Sequence, residues 1–233
     1  MKMQKAIEAL RAGKGVIIVD DYDRENEGDL IYAAGTVTPE KINFMLRHTS
    51  GIVCLSLSKQ RAKELNLPLM IDKENNNSSY TTPFTVSIEA KQGVTTGVSA
   101  HDRCQTILTA VNAKIPGELA RPGHVFPLIA HDEGVFGRRG HTEGSYDLVK
   151  LSGSKAGAVI CELMNDDGTM QKKKDIESFS EKHDIPIVSI QEIYDYQCCV
   201  KLQAQCDIKT KDYGELAMSV FHMPNSVEDI VVW

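Results

Sequence analysis

Apolar positions along the chain fall alternately into helical and strand spacing. Ile7 and Leu10, with Ala6 and Ala9, mark one face of a short amphipathic helix that Gly13 can stop, and the apolar run Val16–Val19 predicts a strand directly after it. A dense acidic turn follows, Gly28 ends it, and the run LIYAA resumes a strand. Thr38-Pro39-Glu40 opens a helix in the N-cap and N1 manner, and Gly51 is placed to close it. A buried strand is predicted at 52–57, a polar loop around Asn75-Asn76-Asn77, and an alternating strand, FTVSIEA, at 84–90. Ser99 reads as the N-cap of a helix that includes Ala110, after which Arg121-Pro122-Gly123 breaks the pattern as a loop. The second half predicts a helix after Thr142, a strand at 158–163, a Lys-led helix ending near His183, a strand at 187–190 and a helix starting near Gln191. FTVSIEA has the pattern of a half-exposed strand, which favours a mixed sheet covered by helices over a purely parallel doubly wound one. Repeats, low-complexity segments and proline-rich linkers are absent.

Composition narrows the class. The chain has 233 residues and a formal charge of −6, with 42% hydrophobic and 25% charged residues, which suits one globular domain of generous size and excludes disordered or fibrous architecture. The acidic balance provides no general basic field for nucleic acid. The N-terminal MKMQKAIEALRAGKG lacks a long apolar core, and no stretch approaches the roughly 18 apolar residues of a membrane span, so the expectation is a cytoplasmic protein with no membrane partner. The six cysteines include no C-x-x-C pair, which argues against structural zinc and for reduced, mostly buried thiols.

Four constellations carry candidate chemistry. Asp20-Asp21-Tyr22-Asp23-Arg24-Glu25-Asn26-Glu27-Gly28-Asp29 packs six carboxylates into ten residues. Such a run usually faces water, but this one leaves one apolar strand and enters another, so its charge is held at a rigid edge where a divalent cation can neutralise it. Arg138-Arg139-Gly140-His141-Thr142-Glu143 precedes a helix. Either Thr142 simply caps that helix, or a phosphate sits at its N-terminus with Arg138 and the Thr142 hydroxyl as partners and His141 beside it. In GVSAHDRCQT, Ser99 and Asp102 fit an ordinary capping box, and Asp102 can also serve a site. The Arg121-Pro122-Gly123-His124 segment has two rigidifying residues before a histidine, which suits a positioned acid/base group. Glu162, enclosed by Ala158-Val159-Ile160-Cys161 and Leu163-Met164, either points outward by alternation or faces a dry pocket, where its carboxyl becomes a usable proton acceptor near neutral pH.

Together, DDYDRENEGDLI, HTSGIVCLSL, GVSAHDR, RPGHVFPL, RGHTE and CELMNDDGTM, in this order, resemble 3,4-dihydroxy-2-butanone 4-phosphate synthase of riboflavin biosynthesis. The resemblance spans roughly residues 3–199. It implies conversion of D-ribulose 5-phosphate to L-3,4-dihydroxy-2-butanone 4-phosphate and formate with Mg²⁺ (or Mn²⁺), two ions per active site with substrate bound, in a homodimer. The implied fold is α+β, a three-layer sandwich with a mixed β-sheet covered by helices on both faces. Through the shared motifs, Glu25 and His141 are the implied metal ligands, and His124 and Glu162 the implied essential residues. Arg24, Glu25, Asp29, Arg138, Arg139, Gly140, His141, Thr142 and Glu162 form the implied substrate site, with Thr106 as an additional donor. Glu27, Cys54 and Asp102 are accessory candidates, and burial without chemistry explains Cys54 equally well.

Three positions depart from the family pattern: Arg139, where a small residue or Thr is common, and Gly144 and His101, where Ala is common. None removes an implied ligand. Residues 1–200 are the implied synthase domain, and the tail 201–233 weakly resembles the opening of GTP cyclohydrolase II, as the remnant of a fused domain or a simple extension. Two competing readings are a different Mg²⁺-dependent sugar-phosphate enzyme and a catalytically silent binding module.

Overall fold

Local signals place most of the elements. The computed structural model describes residues 2–154, 156–198, 201–210, 214–222 and 229–232. In chain order these hold α1 (Lys2–Arg11), β1 (Val16–Val19), β2 (Gly28–Ala33), α2 (Pro39–His48), β3 (Cys54–Leu57), α3 (Lys59–Glu64), β4 (Ile88–Ala90), α4 (Ala100–Asn112), β5 (Leu119–Ile129), α5 (His141–Leu151), β6 (Ala158–Glu162), α6 (Lys173–His183) and β7 (Ile187–Ser189). They are followed by α7 (Ile190–Cys198), β8 (Lys201–Thr210), β9 (Gly214–His222) and β10 (Asp229–Val232). The chain divides into two compact units, Met1–Ile190 and Gln191–Trp233.

Caps follow the sequence with three adjustments. Thr38 accepts from the Lys41 N–H and starts α2 as expected, but the helix stops at His48, and Gly51, at φ +80°, turns the chain toward β3. Ser99 caps α4 by accepting from the Asp102 N–H. The Asp102 carboxylate does not close a capping box; it accepts from the Thr95 N–H and hydroxyl and the Gly97 N–H instead. At α5 the N-cap is Gly140, so Thr142 lies inside the first turn and not at the cap.

The first unit is a seven-stranded sheet in the order β4-β5-β3-β6-β2-β1-β7. Pairings β1–β7 and β3–β5 are parallel and the rest antiparallel. The fold is therefore α+β with a mixed sheet. On one face Ile17, Leu30, Tyr32, Leu55 and Val159 join a core with Ile42 and Met45 of α2, Ile107 and Ala110 of α4, and Ile176 and Phe179 of α6. The opposite face meets α5, which lies against β1, β2, β3 and β6, while α1 lies against β7 and α5. Because side chains alternate along a strand, the register Ile18↔Asp29↔Glu162 and Cys54↔Ile160 puts Asp29, Glu162 and Cys54 on the α5 side.

The predicted loop at Arg121-Pro122-Gly123 is instead part of β5. Ile88 pairs with Val125 but Glu89 pairs with Ala120, so residues 121–124 bulge out of the ladder while the strand continues. A Cβ on Gly123 would collide with the Ile88 backbone, so this close approach requires glycine. Of the predicted strand 84–90, only Ile88–Ala90 enters the ladder; Phe84 and Thr85 form isolated bridges to Leu128 and Leu69.

The second unit contains a three-stranded antiparallel sheet, β10-β9-β8. Cys54, Cys104 and Cys161 are buried, whereas Cys198 and Cys206 are exposed, and all five are free thiols; Cys199 lies outside the described residues. Among the described residues no helix is long and apolar enough to cross a membrane.

Candidate active site

The acidic run is an organised hairpin tip between β1 and β2. Asp20 is the organiser: its Oδ1 accepts from the Glu27 N–H and its Oδ2 from the Glu25 N–H and the Arg24 guanidinium, at 2.8 to 3.0 Å. The loop so fixed turns the Glu25 carboxylate to Arg24 at 2.9 Å and to His141 Nδ1 at 3.1 Å. Asp29, one residue into β2, is buried against the sheet.

His141, the first residue of α5, is buried within this ring of carboxylates. Its Nε2 lies 3.7 Å from Asp29 Oδ1 and 3.9 Å from Asp20 Oδ1, and both His141 Nε2 and Asp29 Oδ1 are buried without a hydrogen-bond partner. Asp20, Glu25 and His141 each present a ligand atom within 4.8 Å of the others. The Asp20 and Glu25 carboxylates, the His141 imidazole with its orphaned Nε2, and the orphaned Asp29 oxygen suit a divalent cation that takes oxygen and nitrogen donors. Protonation follows from the same crowding. Burial, aided by Glu162, Glu25 and Glu27, pushes the Asp29 carboxyl up to about 8 against the pull of His141. Burial alone would lower the His141 value, but Asp29, Glu25 and Asp20 outweigh it and raise it to about 9. For Glu25, burial works upward, yet His141 and Arg24 prevail and hold its carboxyl below the usual range.

These groups open on a cavity of about 110 Å³ lined by Arg24, Glu25, Asp29, Cys54, Arg138, His141, Thr142 and Glu162, with Thr82, Phe84, Leu128 and Ile160 as the remaining wall. Glu162 is set by the Ser50 hydroxyl, which donates to its Oε2 at 2.7 Å. Arg138 is aimed by Glu143, a fully buried carboxylate 2.7 Å from its Nη1. Gly140 leaves the room for that pair, since a Cβ there would strike the guanidinium. The first N–H groups of α5 have no intrahelical acceptor, so the cavity holds cation-binding groups on one wall and anion-binding groups on another. Burial, helped by Glu162, raises the Cys54 thiol well above its ordinary value, so it serves as an apolar wall.

Residues 4–196 match the family model described as 3,4-dihydroxy-2-butanone 4-phosphate synthase. Proteins of that name from Shewanella sediminis and Shewanella halifaxensis are 53% and 56% identical, over 87% and 84% of this chain and 93% and 92% of theirs. The chain belongs to the 3,4-dihydroxy-2-butanone 4-phosphate synthase family. Family members are lyases of riboflavin biosynthesis. Two solved synthases, each with a TM-score of 0.81, share the fold. One, a two-domain synthase from A. baumannii, is 42% identical and aligns with 99% of this chain and 69% of its own. The other, in complex with two magnesium ions, is 35% identical and aligns with 84% of this chain and 96% of its own.

Against that family, the cavity gathers seven of the sequence candidates for substrate and metal, Arg24, Glu25, Asp29, Arg138, His141, Thr142 and Glu162, together with Cys54. Others lie elsewhere. Thr106 is fully buried, accepting from the Ala90 N–H to tie α4 to β4, and Asp102 holds the Thr95–Gly97 turn. Glu27 meets Lys172 Nζ at 3.4 Å; Arg139 is exposed and does not line the cavity. His124, on the β5 bulge, pairs with Glu89 at 2.7 Å. Its strand is separated from the Glu162 strand by β3, two strand spacings of roughly 10 Å in all. Asp20, Ser50, Thr82 and Glu143 were not legible as site residues. Asp20 stood in the acidic run, and Glu143 at the third helical position beside His141, but what each holds depends on segments distant in sequence.

Proposed function

We propose that the chain converts D-ribulose 5-phosphate to L-3,4-dihydroxy-2-butanone 4-phosphate and formate with Mg²⁺ (or Mn²⁺), as a cytoplasmic homodimer. The observation that carries this reading is one cavity uniting Glu25, Asp29, His141 and Glu162 with Arg138 and Thr142, at which buried His141 Nε2 and Asp29 Oδ1 have no hydrogen-bond partner. The two magnesium ions of the related synthase support the choice of metal. Held by Glu25 and His141, the divalent ion supplies Lewis-acid stabilisation for the negative charge that develops beside the substrate carbonyl.

The side chains supply the rest. Arg138 and Thr142, at the α5 N-terminus, hold the phosphate and fix the non-reacting end of the sugar. Asp29 contacts the sugar hydroxyls; its carboxyl, raised to about 8, both donates and accepts near neutral pH. Glu162, oriented by Ser50, moves protons on the carbon skeleton during dehydration, rearrangement and formate release. His124 is the second essential group, and because it does not line the cavity of its own chain, the homodimer supplies it from the second copy. Residues 1–200 carry this activity, and 201–233 form a segment appended to it; alignment of the two-domain synthase with 99% of this chain supports an appended segment.

The 233-residue protein incubated with ribulose 5-phosphate and Mg²⁺ is expected to release formate, measured with formate dehydrogenase, and Glu162→Gln to abolish release while retaining Mn²⁺. Folded, metal-loaded wild-type protein that releases none would overturn the assignment and leave a different sugar-phosphate enzyme or a silent binding module.

A further inference from the structure

The cavity wall includes a segment to which no role has been given. The chain between Leu69 and Thr85 leaves and returns at one point, where these two residues bridge and the Met70 N–H donates to the Phe84 carbonyl at 2.8 Å. Its interior is braced by Asn76, whose Nδ2 donates to the Thr82 carbonyl and whose Oδ1 accepts from the Ser78 N–H and hydroxyl. Thr81 takes φ +47°, a left-handed turn uncommon for a non-glycine residue, and thereby separates two residues that face the same site.

Those residues touch both halves of the cavity. The Tyr80 hydroxyl donates to the Arg24 carbonyl at 2.7 Å, and the Arg24 guanidinium lies 4.6 Å from the Tyr80 ring centroid. Arg138 Nη2 donates to the Tyr80 carbonyl at 3.2 Å and to the Thr82 hydroxyl at 3.3 Å. Tyr80 therefore holds the peptide that carries Glu25 and, through the backbone of the same short stretch, the guanidinium assigned to phosphate.

We infer that Tyr80 is a positioning residue of the synthase, latching the acidic hairpin and Arg138 into one geometry through the strap 69–85. The inference rests on the proposed function for its substrate, but its effect on the hairpin is independent of turnover. The ring is held through its hydroxyl and its face, is only partly covered, and does not itself line the cavity, so it acts through Arg24 and Arg138.

Tyr80→Phe keeps the ring beneath Arg24 and deletes the hydroxyl, whereas Tyr80→Leu removes both. Loss of one hydrogen bond to the backbone that orients a ligand is expected to weaken Mn²⁺ binding without substrate, read by electron paramagnetic resonance, about 2-fold to 10-fold in Tyr80→Phe. Tyr80→Leu is expected to add loss of the cation–π contact and raise KM for ribulose 5-phosphate about 10-fold, with a smaller change in kcat. If wild-type protein binds Mn²⁺ but releases no formate, the proposed reaction fails while the Mn²⁺ readout still decides the latch. Mn²⁺ affinity and KM unchanged in both variants overturn it, as does a lowered melting temperature of Tyr80→Phe with Mn²⁺ affinity intact, which would assign these contacts to stability alone.

Discussion

At the scale of single residues, His141 and Asp29 show how position changes chemistry. Each is an ordinary titratable side chain in the sequence, yet inside the fold they face each other at 3.7 Å with values of about 9 and about 8. Both are raised above their unfolded values, so without metal each contributes stability on the acid side that is lost as pH rises through its folded value. A cation needs the neutral imidazole and therefore competes with a proton. Apparent Mn²⁺ affinity is thus expected to climb with pH, by about tenfold per unit while one proton is displaced, and to level off near the His141 value of about 9. Titration across that range by electron paramagnetic resonance checks this, and His141→Asn is expected to bind more weakly with a shallow profile. A wild-type affinity independent of pH would remove His141 from the ligands.

At the scale of elements, the β4–β5 pairing decides where His124 stands. The ladder shifts at Ile88/Glu89, Gly123 lets the strands approach, and the Ser87 hydroxyl accepts the Gly123 N–H at 3.1 Å. Gly97 contributes at a distance: a side chain there would strike the Glu89 carboxylate that pairs with His124, which connects GVSAHDR to the RPGH bulge. Gly123→Ala is expected to destabilise by about 1–3 kcal/mol, as overpacking does, read as a lower denaturation midpoint, and to displace His124 so that formate release falls further than stability accounts for. Equal stability of variant and wild type would show that the bulge relaxes around a methyl group. The sequence showed that 121–124 interrupts a pattern; the interruption is a bulge within a strand, because only pairing with β4 reveals that the ladder resumes at Val125.

At the scale of the whole molecule, the two residues proposed as essential stand apart. Glu162 lies in the cavity and His124 does not, so an active site shared between two copies predicts complementation. Mixing unfolded His124→Ala and Glu162→Gln chains and refolding them together should restore about a quarter of wild-type formate release, since half the dimers are mixed and one of their two sites is intact. No recovery above the separate variants, with mixed dimers demonstrated by mass spectrometry, would place both groups in one chain.

Local rules made much of this protein legible in its amino-acid order. Thr38, Ser99 and Gly13 mark helix ends because capping depends on near neighbours, and the strands around Val16–Val19 and Ala158–Glu162 follow from apolar runs. The motifs DRENEGD, RGHTE and CELM bear the family resemblance for the same reason: each is a contiguous piece of chemistry. The tertiary structure alone decided that Asp29 and Glu162 are register partners facing α5, that both Asp20 oxygens accept bonds that shape the hairpin, that Thr106 and Asp102 are tied to the backbone away from the cavity, and that Tyr80 reaches Arg24 across 56 positions. Those outcomes depend on burial and on pairing between distant segments, which alter both the surroundings of a carboxylate and its proton affinity without leaving a mark in the residues beside it.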